Sequence, residues 1–89
     1  MRAFVTVIGR DRVGIIAAVC GLLAKMDINI LDISQTILQE NFIMIMLVEA
    51  GGSKIPFSGI AQALTELGET LSLSIRIQRE EIFNTMHKI

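Results

Sequence analysis

Residues 42–48 read Phe-Ile-Met-Ile-Met-Leu-Val, seven apolar side chains with no polar interruption. The run is short for a helix and rich in strand-forming residues, so it reads as a β-strand. A strand with one wet face alternates apolar with polar residues. This one carries Phe42, Met44, Met46 and Val48 on one side and Ile43, Ile45 and Leu47 on the other. It therefore belongs inside a sheet, with both faces covered. Other strands must flank it and helices must cover one side. The second side needs a C-terminal segment, a partner chain, or both.

The rest of the chain supplies those elements in order. Residues 2–8 read as a strand that ends at Gly9. Asp11 then stands where a helix N-cap usually sits. A first helix follows over 13–26, with Ile15, Ile16, Val19, Leu22, Leu23 and Met26 on one face. A second strand runs from 28 to about 38 and the third from 42 to 50, with Glu40-Asn41 as the tight turn between them. Pro56 suits the first turn of a second helix, whose apolar face is Ile60, Leu64, Leu67 and Leu71. A fourth strand sets Leu71, Leu73, Ile75 and Ile77 against Ser72, Ser74, Arg76 and Gln78. Last, a short helix is expected over 80–88, with Glu80 and Glu81 at its start, His87 and Lys88 at its end, and Ile82, Phe83 and Met86 as its apolar side chains.

The order β-α-β-β-α-β with right-handed crossovers gives an α+β, ferredoxin-like sandwich. It has a four-stranded antiparallel sheet, two helices on one face and a short C-terminal helix. The expectation is a single domain over 1–89, with its core in about 2–79. Hydrophobic residues make up 52% of the chain, and its 7 glycines bring the apolar share to about 60%, well above the ~45–50% of ordinary domains. That excess points to a homo-oligomer, a dimer or a tetramer, in which some apolar surface meets another copy.

Charge and composition exclude several functions. Eight Lys and Arg stand against nine Asp and Glu, and there is no Trp or Tyr. Duplex binding needs a basic excess and single-strand binding needs stacking rings, so nucleic acid is not expected as a partner. The longest helical apolar stretch, 13–24, is too short to cross a bilayer. No cofactor or metal site is expected: Cys20 is the one thiol and His87 the one histidine. The lone thiol suits a reducing cytoplasm.

The distinctive segment is Gly9-Arg10-Asp11-Arg12-Val13-Gly14-Ile15, between the first strand and first helix. Glycine at both ends permits a sharp turn and close approach, and a helix start offers unpaired N–H groups to an anion. Asp11 reads first as a helix cap and second as a ligand contact, and Asn29 equally as a ligand contact or as a helix-end turn. Arg10 and Arg12 read as solvated loop charges.

This G-x-D-x-x-G-I pattern, the element order and the Asp27-Ile28-Asn29-Ile30 run into the second strand together resemble an ACT domain. The runs Asp32-Ile33-Ser34-Gln35-Thr36 and Glu81-Ile82-Phe83-Asn84-Thr85-Met86 are similar to small stand-alone ACT proteins of bacteria and archaea, and to the regulatory half of glycine cleavage transcriptional repressors. The resemblance implies a non-catalytic, amino-acid-binding regulatory module. In that family two subunits place their sheets edge to edge, and the ligand sits between the first loop of one and the second strand of the other. By position, Asp11, Arg12, Val13 and Gly14 would line the loop side, with Asn29 and Ile30 on the strand side. Most ACT domains regulate an attached enzyme, and this sequence contains none. Two other functions stay open: an adaptor dimer that binds no ligand, and a small acylphosphatase-like enzyme using Arg10, Arg12 and Asn29. A metallochaperone of the same fold lacks its Cys-x-x-Cys pair here.

Overall fold

The computed structural model describes residues 1–10 and 12–81. The elements are β1 (Arg2–Arg10), α1 (Ile15–Lys25), β2 (Asn29–Leu38), β3 (Asn41–Glu49), α2 (Phe57–Leu71) and β4 (Ser74–Arg79). The four strands form one antiparallel sheet in the order β2-β3-β1-β4. This is the expected ferredoxin-like arrangement. The C-terminal helix expected over 80–88 lies, beyond its first two residues, outside the described residues.

The two-sided strand is where its composition demands. β3 lies between β2 and β1, and its register with β1 aligns the two pleats: Val48 faces Ala3, Met46 faces Val5 and Met44 faces Val7. On the other side of β1, Ile77 and Ile75 extend the same rows. These side chains meet Ile15, Val19 and Leu23 of α1 and Ile60 and Leu64 of α2 in one buried cluster. Each fully buried Leu or Val there contributes on the order of 1.5–3 kcal/mol through apolar transfer. The opposite pleat carries Phe4, Thr6 and Ile8 of β1 against Leu47, Ile45 and Ile43 of β3. All six are partly exposed rather than buried.

Several boundaries differ from the sequence reading, each for a local reason. The N-cap of α1 is Gly14, at φ 95°, with no side-chain cap hydrogen bond among the described residues. The cap thus stands three residues after Asp11, at a glycine, which accepts that backbone angle without strain. Ile16, expected on the buried face, is substantially exposed. The hairpin turn is Gln39-Glu40, not Glu40-Asn41: Gln39 takes the positive φ of 58° and Asn41 already pairs with Leu38. The turn that ends α1 uses Asp27, at φ 59°, so Asn29 is free to open β2. Pro56 caps α2 instead of entering it. β4 starts late, since Leu71 still belongs to α2 and Ser72 makes the left-handed exit at φ 58°.

That exit brings α2 down onto β4. The Leu73 N–H donates to the Gly68 carbonyl at 2.7 Å. A Cβ on Gly68 would stand 2.6 Å from the Leu73 carbonyl oxygen and 3.3 Å from an Ile75 side-chain carbon. Backbone atoms cannot swing aside as a side chain can. Gly68→Ala should therefore lower stability by about 1–3 kcal/mol through overpacking, although alanine favours a helix by up to ~1 kcal/mol. Denaturant unfolding measures the sign directly.

The chain start is tied to the end of β3. The Met1 ammonium pairs with the Glu49 carboxylate, which also accepts the Gly51 N–H at 2.9 Å. The Met1 carbonyl accepts the Ala50 N–H at 2.8 Å. The ammonium first, and then the Gly51 N–H, hold the Glu49 carboxyl below its ordinary range. A depressed carboxyl adds stability that is complete above the unfolded-state pKa and is lost as pH falls through the folded value. Glu49→Gln should flatten the acid limb of the stability–pH curve and change little at neutral pH in its slope. Melting temperatures measured from pH 7 down to acid check this.

Candidate functional site

The loop side of the candidate site forms as one exposed corner. Arg12, Val13 and Gly14 follow the end of β1, all exposed, and Val13 has no cover at all at 103% relative exposure. The first turn of α1 closes with the Ala18 N–H donating to the Gly14 carbonyl at 2.9 Å. The N–H groups before Ala18 have no partner within the helix. α1 has no acidic residue in its first turn. The positive end of its dipole thus points into solvent beside Gly14 without a compensating charge among the described residues. A Cβ on Gly14 would meet nothing within 4 Å. Asp11 lies outside the described residues.

The strand side is elsewhere. Asn29 pairs with Glu49, and Glu49 pairs with Arg2. The loop follows Arg10, whose partner is Asn41. Eight residue steps of β1 therefore separate the two ends, about 26 Å at ~3.3 Å per residue. Within one chain the structure brings Arg12, Val13 and Gly14 together and leaves Asn29 and Ile30 at the far end of the sheet. Asn29 is exposed and Ile30 half-buried. No ligand can bridge both groups in a single copy.

β2 spans that interval as an edge strand of ten residues, and every residue but Ile30 is exposed. Its apolar residues include Leu31, Ile33, Ile37 and Leu38, with Ile37 at 56% and Leu38 at 62% exposure. Its register with β3 shifts between Ile30 and Asp32. This bulge resets the alternation. Ile33 and Ile37 pair with Met46 and Phe42 on the helix side of the sheet, and Asp32, Ser34 and Thr36 lie on the open side. Neither helix reaches over Ile33 and Ile37. A long apolar edge of this kind is a template for pairing with another strand. The sequence shows these apolar residues, but no local signal marks β2 as the edge or Leu31 as the bulge.

Other chemistry is sparse. Among the described residues there is no group of three or more His, Cys, Asp or Glu able to hold a metal, and no helix long and apolar enough to cross a membrane. Cys20 is a free, half-buried thiol packed against the core. Arg10 pairs with Glu40 at 3.1 Å on the surface, which ties it to the hairpin.

The comparisons with known proteins agree with the fold. The ACT domain family model matches residues 2–78. A UPF0237 protein of Clostridium acetobutylicum is 54% identical over 89 residues, covering all of both chains. The solved ACT domain protein from Streptococcus pneumoniae superposes with a TM-score of 0.83 at 41% identity, covering 93% of each chain. A solved putative glycine cleavage system transcriptional repressor gives a TM-score of 0.73 at 25% identity, over 86% of this chain and 44% of its own.

Gly14 offers a direct test of the corner. Because the space around it is open, replacement is penalised by its backbone angle alone. Gly14→Ala should lower stability by about 1–2 kcal/mol. Gly14→Asn, which tolerates positive φ better, should lose less. Chemical denaturation of the two variants gives the ranking, and equal losses would assign Gly14 a packing role instead.

Proposed function

The chain belongs to the ACT domain family, and from that premise we propose that it is a non-catalytic regulatory module that binds a free amino acid between two copies of itself. The observation that carries this reading is the 26 Å separation, estimated from strand rise, between the Gly14 corner and Asn29. An antiparallel pairing of β2 with β2 of a second copy runs each Asn29 toward the loop end of its partner. One contact then covers the apolar edge and assembles two equivalent sites, as two-fold symmetry requires.

The chemistry of each half fits a zwitterion. The open N–H groups at the start of α1 suit a carboxylate. The Asn29 side-chain oxygen and the Asp11 carboxylate are acceptors for an ammonium. Arg12 and Val13 flank the carboxylate position, and Ile30 offers apolar contact to a side chain. Regulation is the natural output, because ligand binding across a subunit contact stabilises the pair by mass action. We assign the module to the cytoplasm, where a lone thiol such as Cys20 stays reduced.

Ile37 separates this reading from a ligand-free adaptor. Ile37→Lys lies on the exposed edge, so the fold should survive while the β2 contact is lost. A thermal-shift panel of the twenty amino acids should find at least one that raises the melting temperature of the native chain. The same amino acid should leave Ile37→Lys unmoved, and light scattering should show that variant as a monomer. A dimer that responds to none of the twenty would favour the adaptor. A monomeric native chain that still binds an amino acid would place the site within one copy and refute the shared arrangement.

A further inference from the structure

Gly9, at the other end of the loop, does not share the role of Gly14. Among the described glycines only Gly14 has a positive φ, so no backbone angle requires glycine at position 9. A strand glycine of this kind marks the close approach of another group. Here that group is Leu73. The β1–β4 ladder ends with Ile8 opposite Ser74, which sets Gly9 beside Leu73 at the next step. A Cβ on Gly9 would overlap the Leu73 Cδ2 methyl and stand 3.4 Å from the Leu73 Cα. Leu73 thus fills the space of the side chain that position 9 lacks.

α2 holds Leu73 from the other direction. The Leu73 N–H donates to the Gly68 carbonyl at 2.7 Å, and Gly68 leaves no room for a Cβ against the Leu73 carbonyl. Two glycines far apart in the chain therefore make way for one residue. That residue is only half-buried, and it lines a surface cavity of about 500 Å³ with Thr65, Glu69 and Arg76. Burial alone does not call for a glycine on each side of a leucine, whereas holding two backbones at a fixed distance does. We infer that Leu73 is a positioning residue for the Gly14 corner. It fixes the end of β1 at Gly9, where the loop departs, and ties that end to α2 through Gly68. Contacts this close have no slack, since a gap of about 0.5–1 Å already forfeits roughly a quarter to a half of the attraction. The functional side of this inference rests on the ligand reading above: the α2–β4 turn keeps the corner preorganised for an amino acid, and preorganisation lowers the cost of binding.

The test reads the corner both without and with a ligand. In amide NMR of the full chain, Leu73→Ala should shift the signals of Arg12, Val13 and Gly14 and speed their hydrogen exchange. The amides of Ala3 and Val48, at the far end of the two central strands, should stay in place. Gly9→Ala should fold, because the backbone there suits alanine and the Leu73 methyl can retreat toward the surface cavity. It should shift the same three amides, and Leu73→Val added to it should return them toward their native positions. If Leu73→Ala fails to fold, this second pair of variants decides. An amino acid that stabilises the native chain should bind Leu73→Ala about fivefold or more weakly. Arg12, Val13 and Gly14 signals unmoved by Leu73→Ala and Gly9→Ala, with stability lowered, would overturn the proposal and make Leu73 a packing residue alone. So would shifts spread equally over Ala3 and Val48. A corner that shifts as expected, in a chain that binds none of the twenty amino acids, would support the place of Leu73 and refute the ligand reading instead.

Discussion

The burial of β3 on its helix side is the constraint on which the other elements depend. Phe42, Met44, Met46 and Val48 are all buried, and their rows continue through Val5 and Val7 into Ile75 and Ile77. A three-strand apolar surface of that width needs two helices to cover it. The chain provides them as crossovers, one before β2 and one before β4, and the handedness rule puts both on the same side. The close approach of α2 at Gly68 follows from the same demand, since a helix lying nearer the sheet leaves fewer voids.

The cost of this economy falls on β2. Two helices packed over β3, β1 and β4 do not extend to a fourth strand, so Ile33 and Ile37 stay exposed on the helix side. A ten-residue strand that exposes Leu31, Ile33, Ile37 and Leu38 and is unpaired on one edge is unfavourable in an isolated copy. The same arrangement puts Asn29 and the Gly14 corner at opposite ends of the sheet. The exposed edge and the separation of Asn29 from Gly14 therefore both follow from the place of β2 in the sheet.

At the corner itself the structure spends little on stabilising the helix start. Gly14 gives α1 a turn that other residues enter with strain, and no side chain among the described residues caps it. Natural helices usually have such a cap, worth about 1 kcal/mol. A helix start without such a cap is slightly less stable. In a domain this small, such a concession is tolerable because α1 is held by Ile15, Val19 and Leu23 in the core, and not by its terminus.

Much of this was determined by the sequence alone. The element order, the core faces of both helices and the central, two-sided character of residues 42–48 follow from apolar periodicity, which is a local property of the chain. The glycine-flanked loop was legible for the same reason, because its unusual residues stand together. What the tertiary structure decided is non-local. Which strand became the edge, that Leu31 bulges and turns Ile33 and Ile37 to the helix side, and that Asn29 sits a full strand length from Gly14 all depend on strand order and register. So do the finer boundaries: Gly14 in place of Asp11 as the cap, Gln39 in place of Asn41 in the turn, and Ser72 ending α2. Each was settled by how an element had to leave one layer and meet the next, a packing requirement that no short stretch of sequence encodes.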